Sequence, residues 1–149
     1  MKNYKENNRL CSAGDWYEHN TAIRYNGKRM PVGFEGYDIL FTDGTTAELK
    51  SFAGSGTPSI GGPKLIATER NLHKILAEYM ALADYLAIEN PDHSEQWIPK
   101  AEAVEYLMAR VSLTCESTRR SGRRLKLRLN RNPRTAEATA KLIAEGFTL

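Results

Sequence analysis

Asp38, Glu48 and Lys50 are the residues of this chain whose types and spacing could do chemistry. Two carboxylates held side by side form a hard oxygen ligand set suited to Mg²⁺ or Mn²⁺, cations that keep several waters and accept phosphate oxygens. A lysine on the same face can orient an attacking water or offset charge growing on a phosphate. Whether the three meet depends on how the stretch Tyr37 to Lys50 folds.

That stretch reads as a β-hairpin, with apolar Tyr37, Ile39 and Phe41 before the turn Asp43-Gly44 and Ala47 and Leu49 after it. A two-residue loop would set Ile39 opposite Glu48 and Tyr37 opposite Lys50, mixing apolar and charged side chains on one face. A three-residue loop Thr42-Asp43-Gly44, with Gly44 left-handed in a bulge, pairs Phe41 with Thr45 instead. All five apolar residues then share one face. Asp38 lies across from Glu48 on the other, with Lys50 one step along. Like charges directly opposite on a sheet repel, and a pair so held shares a cation or has its pKa values pushed apart. The plain alternative is an exposed hairpin face whose Asp, Glu and Lys are solvated.

An Asp opening one strand, a short hairpin and then Glu48-Leu49-Lys50 resemble the PD-(D/E)XK nuclease superfamily. The resemblance implies that Asp38 and Glu48 bind the metal and that Lys50 assists hydrolysis of a phosphodiester. It also implies a further acid on a helix before the Asp strand, for which Glu18 is the nearest candidate and Glu35 the alternative. The likeness covers about fifteen residues, and no Pro precedes Asp38.

A second chemical feature is charge. Arg119, Arg120, Arg123, Arg124, Lys126, Arg128, Arg131 and Arg134 fall in one run without an acidic residue, and subtracting these eight from the net +3 leaves the remainder at −5. A concentrated basic segment on an acidic body suits a polyanion, and nucleic acid is the partner expected. Guanidinium forks match phosphate geometry, supplying affinity without sequence readout. An acidic protein partner is the other possibility. His19 and His73 are weaker candidates, for a ribonuclease of another kind.

The elements that must position these groups follow from pattern. Thr21-Ala22-Ile23-Arg24-Tyr25, Asn26-Gly27 and Lys28-Arg29-Met30 read as a first hairpin, which with the central one predicts a four-strand antiparallel meander. The Gly/Ser/Thr/Pro stretch 53–63 reads as a loop. Thr68 to about Glu89 carries helical periodicity (Leu72, Ile75, Leu76, Tyr79, Leu82, Ala83, Leu86), as does Pro99 to Arg110. These two helices are expected to cover the sheet. Val111–Cys115 and Leu125–Leu129 alternate like strands of a basic hairpin, and Thr135 to Glu145 forms a last helix closed by Gly146.

The whole chain sets the bounds. At 149 residues, 41% apolar and 26% charged, it suits a single α+β domain over residues 15–149 behind a flexible polar segment 1–14. No apolar run approaches a membrane span, the start lacks the apolar core of a signal peptide, and Cys11 and Cys115 make neither a zinc pattern nor a disulfide framework. A reduced, cytoplasmic, metal-dependent nuclease-like protein is the leading expectation. The rival is a non-catalytic binding module, such as a phage or mobile-element inhibitor.

Overall fold

The computed structural model of the protein describes residues 12–31, 33–118 and 122–149, the side chains of 116–118 excepted. It is an α+β fold with four α-helices, one 3₁₀ turn (Pro63–Ile66) and eight strands in a mixed five-stranded and an antiparallel three-stranded sheet among those residues. The expectations for residues 1–11, with Cys11, and for Arg119 and Arg120 lie outside them. The chain divides into two compact units: residues 1–56 with 80–103, and 57–79 with 104–149.

The first unit begins with helix α1, Ala13–Arg24. Ser12 and Asp15 close a reciprocal capping box at its start, so ordered structure begins inside the segment expected to be flexible. The helix takes Thr21 to Arg24 away from the expected first hairpin. Asn26-Gly27 is its stop signal: Asn26 is left-handed at φ 50, and the amides of Asn26 and Gly27 reach back to the carbonyls of Ile23 and Ala22. Asn-Gly serves a helix end as well as a hairpin turn, because both need a residue tolerant of positive φ. A side chain at Gly27 would also come within 2.8 Å of Ile39.

Strands β1 (Lys28–Arg29), β2 (Ile39–Leu40) and β3 (Thr46–Ser51) run antiparallel, but the meander ends there. β3 pairs in parallel with β5 (Tyr85–Glu89), which pairs antiparallel with β6 (Glu95–Pro99), giving the order β1-β2-β3-β5-β6. The expected long helix thus stops far short of Glu89. Leu86, Ala87 and Ile88 form a buried strand with neighbours on both sides, and an apolar run of this kind satisfies helical periodicity by accident. The core of the unit joins Tyr17 of α1 to Ile39, Ala47, Leu49 and Ala87 of the sheet. The helix packed here is α1, where the two later helices were expected to cover the sheet.

The second unit holds α2 (Leu72–Tyr79), most of α3 (Lys100–Arg110), a hairpin and α4 (Ala136–Ala144). Asn71 caps α2, accepting from the Lys74 amide, so the helix begins past Thr68. Within the expected loop 53–63, β4 (Ser59–Ile60) pairs with Arg128 and Leu127 of the later strand Gly122–Leu129, so a short strand sits where composition alone indicated none. The hairpin β7 (Val111–Thr118) and β8 (Gly122–Leu129) has the expected place, with Val111, Leu127 and Leu129 buried. Helix α4 is capped by Thr135 and closed by Gly146 at φ 89, whose amide and that of Phe147 return to Ile143 and Leu142.

Candidate functional site: an acid–lysine cluster and a basic strand

The central hairpin adopts the three-residue loop. The Phe41 amide donates to Thr45, the Gly44 amide to Phe41, and Gly44 stands at φ 88. Ile39 faces Ala47 and Leu40 faces Thr46, the register that puts the apolar side chains on one face. The ladder slips at its far end. The Asp38 amide donates to the Ala47 carbonyl (2.9 Å), and Asp38 Oδ2 accepts from the Leu49 amide at 2.8 Å. Asp38 is therefore fixed through its carboxylate to the backbone of the strand that carries Glu48 and Lys50.

Glu48 and Lys50 alternate with the core residues Ala47 and Leu49, and Lys50 Nζ stands 3.4 Å from Glu48 Oε1 with the two side chains 14% and 11% exposed. At that depth charges act through little water, so each carboxylate bears on its neighbours. Burial first, and then the charges of Glu48 and Glu18, push the Asp38 carboxyl up to about 8, against the opposing Lys50 and the Leu49 amide. Burial also raises Glu18, with Asp15 and Glu48 adding to it and Arg29 opposing. Glu18 comes from α1, and Arg29 of β1 fixes it: Nε lies 3.3 Å from Glu18, while Nη2 holds Asp15 at 2.8 Å. Of the two candidates for a third acid, Glu18 belongs with Asp38 and Glu48, whereas Glu35 is exposed on the preceding loop.

The resemblance implies a divalent cation here, and the donor set bears on that directly. Among the described residues no group of three or more His, Cys, Asp and Glu side chains forms a ready metal cage. Mg²⁺ does not require one, being held by one or two carboxylates, its own waters and substrate phosphate oxygens. A carboxyl kept from ionising by burial, and further by two neighbouring acids, is an environment that a divalent cation relieves. Asp38 and Glu48 fit that role.

The basic residues of the second unit divide by face. Arg124, Lys126 and Arg128 alternate with the apolar Leu125, Leu127 and Leu129, and face Glu116, Thr114 and Ser112 in the ladder. Arg128 also donates to the Thr57 carbonyl at 2.8 Å. Arg123 takes the other face, paired with Glu145 and in contact with the sulfur of the free, exposed Cys115. Arg131 is exposed. Arg134 has structural work: it donates to the Met108 and Val111 carbonyls at 2.8 and 2.7 Å and to Thr139, closing the end of α3. His19 packs edge-on to Trp16, and His73 lies 3.7 Å from Glu105 in the second unit.

What the sequence missed is the support of the site. Nothing in the spacing links Asp15 and Glu18 to Arg29, since the turn Asn26-Gly27 was assigned to a hairpin. The capping pattern Ser12-x-x-Asp15 was the available signal. The fold and site together define an α+β protein with an acid–lysine cluster on a mixed sheet. No family model matches the chain, and no curated protein matches it. No described helix is long and apolar enough to cross a membrane.

Proposed function

We propose that the protein is a metal-dependent nuclease of the PD-(D/E)XK kind, acting on nucleic-acid phosphodiesters. The observation that carries this reading is the meeting of Asp38, Glu48 and Lys50, with Glu18 from the preceding helix, in one largely buried cluster. Asp38 and Glu48 would hold Mg²⁺ or Mn²⁺. The bound cation would polarise the phosphoryl oxygen and lower the pKa of a water.

The protein's own groups have distinct tasks. The Leu49 amide and the strand pairing hold the Asp38 oxygen in place. Lys50, ion-paired to Glu48, is positioned to balance charge that develops on the phosphate. Arg29 restrains Glu18 and Asp15. Arg124, Lys126 and Arg128, on one face of β8, would contact backbone phosphates and contribute affinity that falls steeply with salt. That basic face also supports the second reading, a binding module without catalysis.

The test is cleavage of labelled single- and double-stranded DNA and RNA with Mg²⁺ or Mn²⁺ against EDTA, for the wild type, Glu48→Ala and Lys50→Ala. Metal-dependent cleavage lost in both variants supports the nuclease. Salt-sensitive binding without cleavage, unchanged by Glu48→Ala and lost when Arg124 and Lys126 are neutralised, leaves the binding module.

A further inference from the structure

A cavity of about 410 Å³ in the first unit is lined by Tyr25, Phe41, Tyr85 and Trp97 together with Thr42, Asp43 and Thr45 of the hairpin tip. Trp97 is its hub: its ring centroid lies 5.5 Å from Tyr25, 5.8 Å from Phe41 and 6.1 Å from Tyr85. The Tyr25, Phe41 and Trp97 planes meet at 89°, 77° and 53°. An aromatic ring carries the negative part of its quadrupole on its faces, so a wall built of four such rings attracts cations.

The polar part of the lining reinforces that sign. Among the described residues lining the cavity, the one charge is that of Asp43, and none is basic. Thr45 donates to Asp43 Oδ1 through both its amide (2.9 Å) and its hydroxyl (2.6 Å), which fixes the carboxylate at the rim and holds its pKa below the usual range. The chain itself gives one instance of the preference: the Arg24 guanidinium lies over the Tyr25 ring, 6.0 Å from its centroid, while paired to Glu95.

We infer that this pocket binds an organic cation of the alkylammonium class, a methylated ammonium above all, between the aromatic walls and the Asp43 carboxylate. A bare phosphate would meet a carboxylate and no donor cation. A neutral base would gain stacking but nothing from the charge. A methylated ammonium uses both features, since its methyl groups pack on the rings while its diffuse charge is drawn to them and to Asp43. The pocket does not involve Asp38, Glu48 or Lys50, and the inference stands whether or not the protein cleaves nucleic acid.

The test is a ¹⁵N-HSQC titration of the full chain with tetramethylammonium chloride at constant ionic strength, beside neutral tert-butyl alcohol, of nearly the same size and shape, and beside adenosine. Saturable shifts at the Trp97 indole and the Thr42 to Thr45 amides with tetramethylammonium, several-fold weaker for the alcohol and for Asp43→Asn, are expected. The Asp43→Asn spectrum itself reports whether the fold is kept, and asparagine retains the oxygen that caps Thr45. Equal affinity for the alcohol, no weakening in Asp43→Asn, or absence of saturable shifts overturns the inference. Saturation by adenosine in place of the cation overturns it in favour of a base-stacking pocket.

Discussion

Asp38→Asn is expected to make the metal-free protein more stable at neutral pH while removing the response to divalent cations that the proposed metal site implies. The folded chain holds the Asp38 carboxyl at about 8, whereas an unfolded chain releases that proton near the ordinary aspartate pKa of about 3.9. Between those values the folded state binds the additional proton, so stability falls as pH rises through the window, and below about pH 4 the group contributes no difference. At 1.36 kcal/mol per unit, the roughly three units between the ordinary pKa and pH 7 set a ceiling of about 4 kcal/mol. Asp38 is largely buried, so screening by water takes only part of this, and about 2–4 kcal/mol is expected. Asparagine keeps an oxygen for the Leu49 amide and has no proton to lose. Urea melts followed by circular dichroism at pH 4, 6 and 8 in EDTA should therefore show the two proteins converging at pH 4, with the variant ahead by a growing margin above it. Millimolar Mg²⁺ should restore the wild type at pH 8 and leave the variant unmoved. Equal pH profiles, or a variant less stable at pH 8, would refute the reasoning that burial beside Glu48 and Glu18 keeps Asp38 protonated.

Three other outcomes follow from the same contacts. Lys50→Met should destabilise by about 2–3 kcal/mol in chemical melts, because it leaves the Glu48 carboxylate buried without its ion pair. Arg134→Ala should cost about 2–3 kcal/mol through the orphaned Met108 and Val111 carbonyls. The salt dependence of any nucleic-acid binding should stay unchanged in that variant, which an affinity titration at several ionic strengths would check. Gly44→Ala should lower stability by about 1 kcal/mol, since Gly44 stands at φ 88 with open space around it, making the backbone conformation rather than a clash the cause. A thermal melt reads that change directly.

The sequence alone determined whatever local pattern suffices to fix. Asp43-Gly44 and the flanking apolar alternation specified the hairpin register, because the other loop length would have buried Glu48 among apolar residues. Val111 to Leu129 read as a hairpin, since Leu125, Leu127 and Leu129 alternate with basic residues. Thr135 and Gly146 marked the ends of α4 by their capping chemistry. Tertiary structure decided the rest. Asn26-Gly27 is chemically fit for a turn or a helix stop, and the burial of Tyr17 and Thr21 in α1 chose the stop. Leu82 to Glu89 carries apolar residues at helical spacing, yet pairing in parallel with β3 made Tyr85–Glu89 a strand, an alliance between segments distant in the chain that no local period encodes. The same holds at the site. Asp38 and Glu48 were legible from register, but Glu18 joins them only because α1 packs on the sheet and Arg29 holds it there. The Tyr25, Phe41, Tyr85 and Trp97 rings meet only because four separate elements bring them together.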